Sequence, residues 1–167
     1  MEIGPAGVDD LEAVTALVAA AIRGMESKGI FQWDGIYPDR ARFLADIAEG
    51  ALFVCRDGDE TIGVAALNEY QDPEYVQVPW RYRGEPIAVV HRLCVDPRRQ
   101  GQGVATALMD FVERRARHDG YAAIRLDAFT HNPAAVMLYE RRGYRRAGTV
   151  LFRMGPFHCF EKRLGQK

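Results

Sequence analysis

The chain has 167 residues, a length that favours one domain with a sizeable hydrophobic core. Hydrophobic residues make up 48% and charged ones 27%, with a formal net charge of -1, so no broad basic field draws the protein to nucleic acid or a membrane surface. The opening Met1-Glu2-Ile3-Gly4 lacks a secretory pattern, no apolar run approaches the ~20 residues that span a bilayer, and the widely spaced Cys55, Cys94 and Cys159 fit free thiols in a reducing cytoplasm.

Glu2 to Ala6 reads as a short strand. Asp9 is the expected cap of a first helix, with Glu12 in capping-box spacing and Leu11, Val14, Leu17, Val18, Ala21, Ile22 and Met25 as its apolar stripe. Gly29 ends that helix, and the aromatic-rich stretch Ile30 to Tyr37 has no period and reads as a loop. Pro38 and Asp39 open a second helix carrying Phe43, Leu44 and Ile47, which Gly50 stops. Ala51 to Arg56 and Thr61 to Tyr70 form a hairpin around Asp57-Gly58-Asp59-Glu60. After a polar and aromatic loop, Gln71 to Pro86, the β-branched run Ile87 to Val95 is a strand that Asp96-Pro97 halts. A glycine-rich turn, a helix to about His118, a strand at Ala122 to Phe129, a helix at Asn132 to Arg142 and two strands, roughly Tyr144 to Leu151 and Phe157 to Leu164, complete the chain. The order β-α-α-β-β-β-α-β-α-β-β implies a single α/β domain with a sheet of mixed direction.

The segment Arg98-Arg99-Gln100-Gly101-Gln102-Gly103-Val104-Ala105-Thr106 sits between a strand and a helix. The first N–H groups of a helix lack intrahelical partners and carry the positive end of its dipole, and glycines let such a backbone approach a phosphate closely. Thr106 adds a hydroxyl donor, and Arg98 and Arg99 add charge beside the turn. Two glycines also suffice for a plain strand-to-helix turn, so the pattern alone leaves both readings open. The dinucleotide fingerprint G-x-G-x-x-G is half met: Thr106 replaces its third glycine, while Asp127 lies near the spacing of a ribose-binding acid. A nicotinamide-dependent oxidoreductase therefore stands as a remote alternative.

The run Gln100-Gly101-Gln102-Gly103-Val104-Ala105 resembles the phosphate motif of the GNAT superfamily, acetyl-coenzyme A-dependent N-acetyltransferases. The block Asn132-Pro133-Ala134-Ala135-Val136-Met137-Leu138-Tyr139-Glu140-Arg141-Arg142-Gly143-Tyr144 resembles that superfamily's second motif, with Tyr144 in place of phenylalanine. The resemblance implies a single-domain GNAT fold over residues 1–167: a mixed seven-stranded sheet with splayed central parallel strands, flanked by about four helices. It implies a cytoplasmic acyltransferase, monomer or homodimer, moving an acetyl group from acetyl-CoA to a primary amine of a small molecule or peptide. A non-catalytic acyl-coenzyme A binding domain is the alternative of another class. Carried over by position, Leu93, Cys94 and Val95 run along the pantetheine arm, Gln100, Gly101, Gln102, Gly103, Val104, Ala105 and Thr106 hold the pyrophosphate, Asn132 and Ala135 meet the arm, and Tyr139 lies near the sulfur.

Amide formation also requires a base for the amine proton. Glu69, near the end of the third strand, and His91, on the cofactor strand with Val89, Leu93 and Val95, are candidates, and Asp127 is a candidate for binding a cationic amine. Trp33, Tyr37, Trp80 and Tyr82 are candidate acceptor contacts or simply hydrophobic plugs. The cluster Arg141, Arg142, Arg145 and Arg146 reads as a solvated face, with a cofactor phosphate as the other option. His118, His131 and His158 show no metal-ligand spacing, so no metal is expected.

Overall fold

The computed structural model describes residues 1–165. Its elements follow the expected order: β1 (Glu2–Pro5), α1 (Leu11–Glu26), α2 (Arg40–Ala48), β2 (Leu52–Asp57), β3 (Glu60–Asn68), β4 (Ile87–Val95), α3 (Val104–His118), β5 (Ala123–Phe129), α4 (Pro133–Arg141), β6 (Arg145–Phe152) and β7 (Gly155–Arg163). The strands form one mixed sheet in the order β1-β2-β3-β4-β5-β7-β6. By packing, the chain divides into two compact units, residues 1–67 with 91–112, and residues 68–90 with 113 onward.

In the first unit, β1 and β2 pair antiparallel, as do β2 and β3 around Gly58, whose φ of 61° demands a residue without a β-carbon. Leu11, Val14, Leu17, Val18 and Ala21 of α1, with Phe43 of α2, pack on Leu52, Val54, Val64, Ala66 and Cys94. The helical period of α1 meets the two-residue period of the strands, and each supplies one apolar face. Asp9 is not the cap of α1. A 3-10 turn spans Val8–Asp10, and the Asp10 carboxylate accepts from the Gly7 N–H at 2.7 Å and pairs with Arg56. Asp39 does cap α2, accepting from the Arg42 N–H at 2.9 Å.

Gly63 on β3 fixes how near α3 can lie. A β-carbon there meets Leu108 Cδ1 and Val104 Cγ1, each at 2.9 Å. Gly63→Val is expected to cost about 1–3 kcal/mol through overpacking. It should also weaken acetyl-CoA binding, because the displaced residue, Val104, is the first of α3. Thermal melting and a cofactor titration check both, and an unchanged Kd limits Gly63 to packing.

In the second unit, β5 pairs antiparallel with β7, and β7 with β6. The parallel ladder between β4 and β5 comprises Ile87↔Ala123, Ala88↔Ile124 and Val89↔Arg125, although both strands continue beyond it. The loop from Gln71 to Pro86 is more ordered than its composition implies: a 3-10 turn spans Pro73–Gln77, with Tyr75 and Trp80 buried. The arginine cluster is not simply a solvated face. Arg142 pairs with buried Glu113 at 3.1 Å, Arg145 with buried Glu161, and Arg146 with Glu140 at 2.8 Å. The hydroxyl of Tyr144 donates to Glu113 at 3.2 Å, a bond that phenylalanine at this position cannot make.

Candidate functional site

β4 leads into the glycine turn through an interruption. Arg92 has a φ of 54°, a left-handed conformation that costs a non-glycine residue on the order of 1–2 kcal/mol. Arg92 and Cys94 are buried, while His91, Leu93 and Val95 are half-buried. The Arg92 side chain explains why the conformation persists: it makes two 2.7 Å bonds to Asp46 of α2 and one of 2.9 Å to the Tyr37 hydroxyl. Tyr37, expected as an acceptor contact, is thus tied to β4 through this guanidinium. Trp33 packs against the first unit's core.

After β4, Asp96 caps a 3-10 turn at Pro97–Arg99, and the chain passes through Gly101 (φ 75°) and Gly103 (φ 82°) into α3. A β-carbon at either glycine meets nothing within 4 Å. Positive φ, rather than crowding by the protein, requires glycine at both positions. The Ala107 N–H donates to the Gly103 carbonyl at 2.9 Å, so the helical N–H groups before it have no i−4 partner. Gly101, Gln102, Gly103 and Thr106 are exposed. Arg98 and Arg99 do not stand ready for an anion: Arg98 pairs with Asp96 and Glu60, and Arg99 with Asp57.

The second unit holds the other motif. Asn132 caps α4, its Oδ1 accepting from the Ala135 N–H at 3.2 Å. Tyr139 is buried, with ring centroids 5.9 Å from Tyr144 and 5.8 Å from Phe160. Burial, and then the charge of Asp127, push its phenol well above the ordinary value. Asp127 on β5 accepts a 2.7 Å bond from the Tyr75 hydroxyl. Burial raises its carboxyl to about 6; the Tyr75 bond opposes the shift, and nearby Asp72 adds to it. Asp127, Tyr139 and Tyr75 therefore share one electrostatic neighbourhood.

Glu69 does not join them through any such contact. It lies just past β3, which ends where the Asn68 side chain accepts from the Tyr70 N–H, and it accepts at 2.8 Å from Tyr121. Tyr121 precedes β5, whereas Asp127 lies near that strand's far end. Trp80 is buried, its indole N–H bonded to the Tyr75 carbonyl at 2.9 Å and its face covered by the Arg125 guanidinium at 4.2 Å. Tyr82 is half-buried and gives its carbonyl to Arg125. Sequence reasoning missed Tyr75, Arg92, Asp46 and Arg125. The charge of Arg125, two residues from Asp127 in a strand whose other residues are apolar, was the available signal; Tyr75 offered none.

A strand, a left-handed glycine turn, a helix with open N–H groups and an asparagine-capped helix occur here in chain order. The Acetyltransferase (GNAT) family model matches residues 15–144. The chain belongs to this family. Over 163 residues it is 27% identical to the uncharacterized N-acetyltransferase YesJ of Bacillus subtilis, covering 96% of this chain and 88% of that one. A GNAT-family acetyltransferase of Streptococcus agalactiae shares its fold with a TM-score of 0.86 at 19% identity, over 99% and 96% of the two chains. YncA of Salmonella typhimurium, crystallised with its cofactor acetyl-CoA, superposes with a TM-score of 0.74 at 17% identity, over 100% and 95%. As a GNAT protein the chain is an acyltransferase, and the dinucleotide reading falls with its mixed sheet. Among the described residues, no helix is long and apolar enough to cross a membrane, and no cluster of three metal-binding side chains occurs.

Proposed function

We propose that this acyltransferase takes its acetyl group from acetyl-CoA and passes it to a primary amine of a small molecule or peptide, with residues 1–167 acting as one domain. The observation that carries the proposal is the turn at Gly101 and Gly103, whose left-handed backbone delivers unpartnered first-turn N–H groups at an exposed helix end. The N–H groups of Gly101 to Thr106 hold the pyrophosphate, the backbone of Leu93, Cys94 and Val95 runs along the pantetheine arm, and Asn132 and Ala135 flank it.

The amine nitrogen attacks the thioester carbonyl and gives up a proton to the base, the carbon–sulfur bond breaks, and the thiolate takes a proton from Tyr139, which is then reprotonated from solvent. The raised pKa keeps the phenol protonated at neutral pH but also makes Tyr139 a weaker acid, so its help to the departing thiolate is modest. Of the three groups proposed to meet the amine or its proton, Glu69, His91 and Asp127, the last is favoured by its 2.7 Å bond from Tyr75 and by the effect of its charge on Tyr139. Trp33 and Tyr82 remain proposed acceptor contacts; Tyr37 and Trp80 would act mainly by holding arginines.

Free thiol release from acetyl-CoA across amines, polyamines, amino acids and short peptides tests the proposal. A rate that depends on one acceptor class supports it. Bound acetyl-CoA with no transfer to any amine overturns it and favours the non-catalytic binding domain. Tyr139→Phe should lower kcat by about 10–100-fold, the low end for an acid because a thiol of pKa about 8.5 leaves easily. Acetyl-CoA affinity should barely change; an unaltered kcat removes Tyr139 from the chemistry.

A further inference from the structure

A cleft of about 470 Å³ opens in the second unit, with Tyr75, Trp80, Arg83, Glu85 and Arg125 among its lining residues. Arg125 is only 6% exposed. Its Nη1 donates to the amide oxygen of Gln71 and its Nη2 to the Tyr82 carbonyl; its Nε is buried with no hydrogen-bond partner. The guanidinium lies on the Trp80 face. Its direct partners are thus two neutral oxygens and an aromatic ring. Buried charge is ordinarily matched by an opposite charge, because desolvation of an ion costs several kcal/mol.

Asp72 also lines the cleft, while Glu161 and Glu85 are paired with other cations. Glu161, opposite Arg125 in the β5–β7 ladder, accepts from the backbone N–H groups of Arg81 and Tyr82 and pairs with Arg145. Glu85 pairs with Arg163. Arg125 therefore retains donor capacity for an anion supplied from outside, and a guanidinium fork suits a carboxylate. Opposite charge is available close by. Arg125 and Asp127 are two apart on β5, so they share a face about 7 Å apart along the strand. Tyr75, which lines the cleft, is the residue bonded to Asp127.

We propose that the cleft beside Trp80 binds the carboxylate of the acceptor through Arg125, so that the substrate is a small amino acid whose amine lies toward Asp127. This rests on the N-acetyltransferase reading above and narrows it. Amines and polyamines that carry no carboxylate, and so make no bond to the Arg125 fork, are then poor acceptors. Arg125 acts in binding and takes no part in the proton transfers.

Two measurements test the proposal separately from the parent reading. The first is calorimetric titration of the acetyl-CoA-free protein with N-acetylglycine and N-acetylglycinamide, which differ only in the carboxylate. The acid should bind at least about tenfold more tightly, as a charge-assisted bidentate contact allows. Equal affinities, or no binding of either, overturn the proposal whatever the enzyme's activity. The second compares KM for amino acids with KM for their amides. The wild type should favour the acids about tenfold or more, and Arg125→Met should bring that ratio near one, mainly through KM. Arg125→Lys, which retains charge without the planar fork, should keep part of the preference and covers the case in which the methionine variant fails to fold. A ratio unchanged in Arg125→Lys and Arg125→Met overturns the assignment. If acetyl-CoA binds but no amine is acetylated, the parent reading fails and the titration alone decides the carboxylate site.

Discussion

Asp46→Ala is expected to lower stability by about 3–5 kcal/mol, the usual cost of leaving one member of a buried ion pair unpaired. The Asp46 side chain is 0% exposed and that of Arg92 6%, and a left-handed residue of β4 depends on their two bonds. For a chain of this size that corresponds to a fall of about 10 °C or more in Tm. Arg92→Met should cost less, because Asp46 then retains Arg42, 3.0 Å away. The two single variants therefore differ in a direction fixed by the geometry. Equal melting temperatures would show that Arg42 contributes nothing to Asp46. The loss should also free the Tyr37 hydroxyl from its Arg92 bond, so acceptor KM is a second readout.

Asp127→Asn should reduce kcat/KM by about 100-fold if the carboxylate receives the amine or its proton, the low end for a positioned base. With the carboxyl raised to about 6, the wild-type rate should climb with pH, reach half its maximum near 6 and level above it, and the variant should lack that limb. The stability effect has the opposite sense. Between the ordinary value of 3.8 and about 6 the folded chain holds a proton that the unfolded chain has released, so stability falls as pH rises through that window. Asparagine keeps an acceptor for Tyr75 without the buried charge. Its melting temperature at neutral pH should not drop, which separates lost chemistry from lost structure.

The parts of the fold that were legible in the sequence are those encoded by period. The stripe from Leu11 to Ala21 and the β-branched run of β4 carry their secondary structure in their spacing, and the bounds of β4 agree to the residue. The cap of α1 was misjudged because Asp9 and Asp10 offer the same chemistry, and the 3-10 turn before Leu11 decides between them. The glycine turn was legible, but its physical reason was not: the sequence shows a missing β-carbon, and only the backbone shows positive φ. The charged environment was least legible. Tyr75 and Asp127 are separated by 52 residues, and Arg92 and Asp46 by 46, so neither pair leaves a local signal. Arg99 looked available because its acidic partner, Asp57, belongs to a hairpin distant in sequence, whereas one partner of Arg98, Asp96, lies only two residues away.

All three cysteines are free and buried, and burial pushes the thiols of Cys94 and Cys159 up to about 12. Thiolates are the reactive species, so the native protein should be nearly silent toward an aromatic disulfide reagent at pH 8. The coenzyme thiol released by turnover can then be read without a protein background. The same silence makes the cysteines reporters of opening. Cys55 and Cys94 belong to the first compact unit and Cys159 to the second, so their labelling rates in mild denaturant should reveal whether the two open together or in sequence.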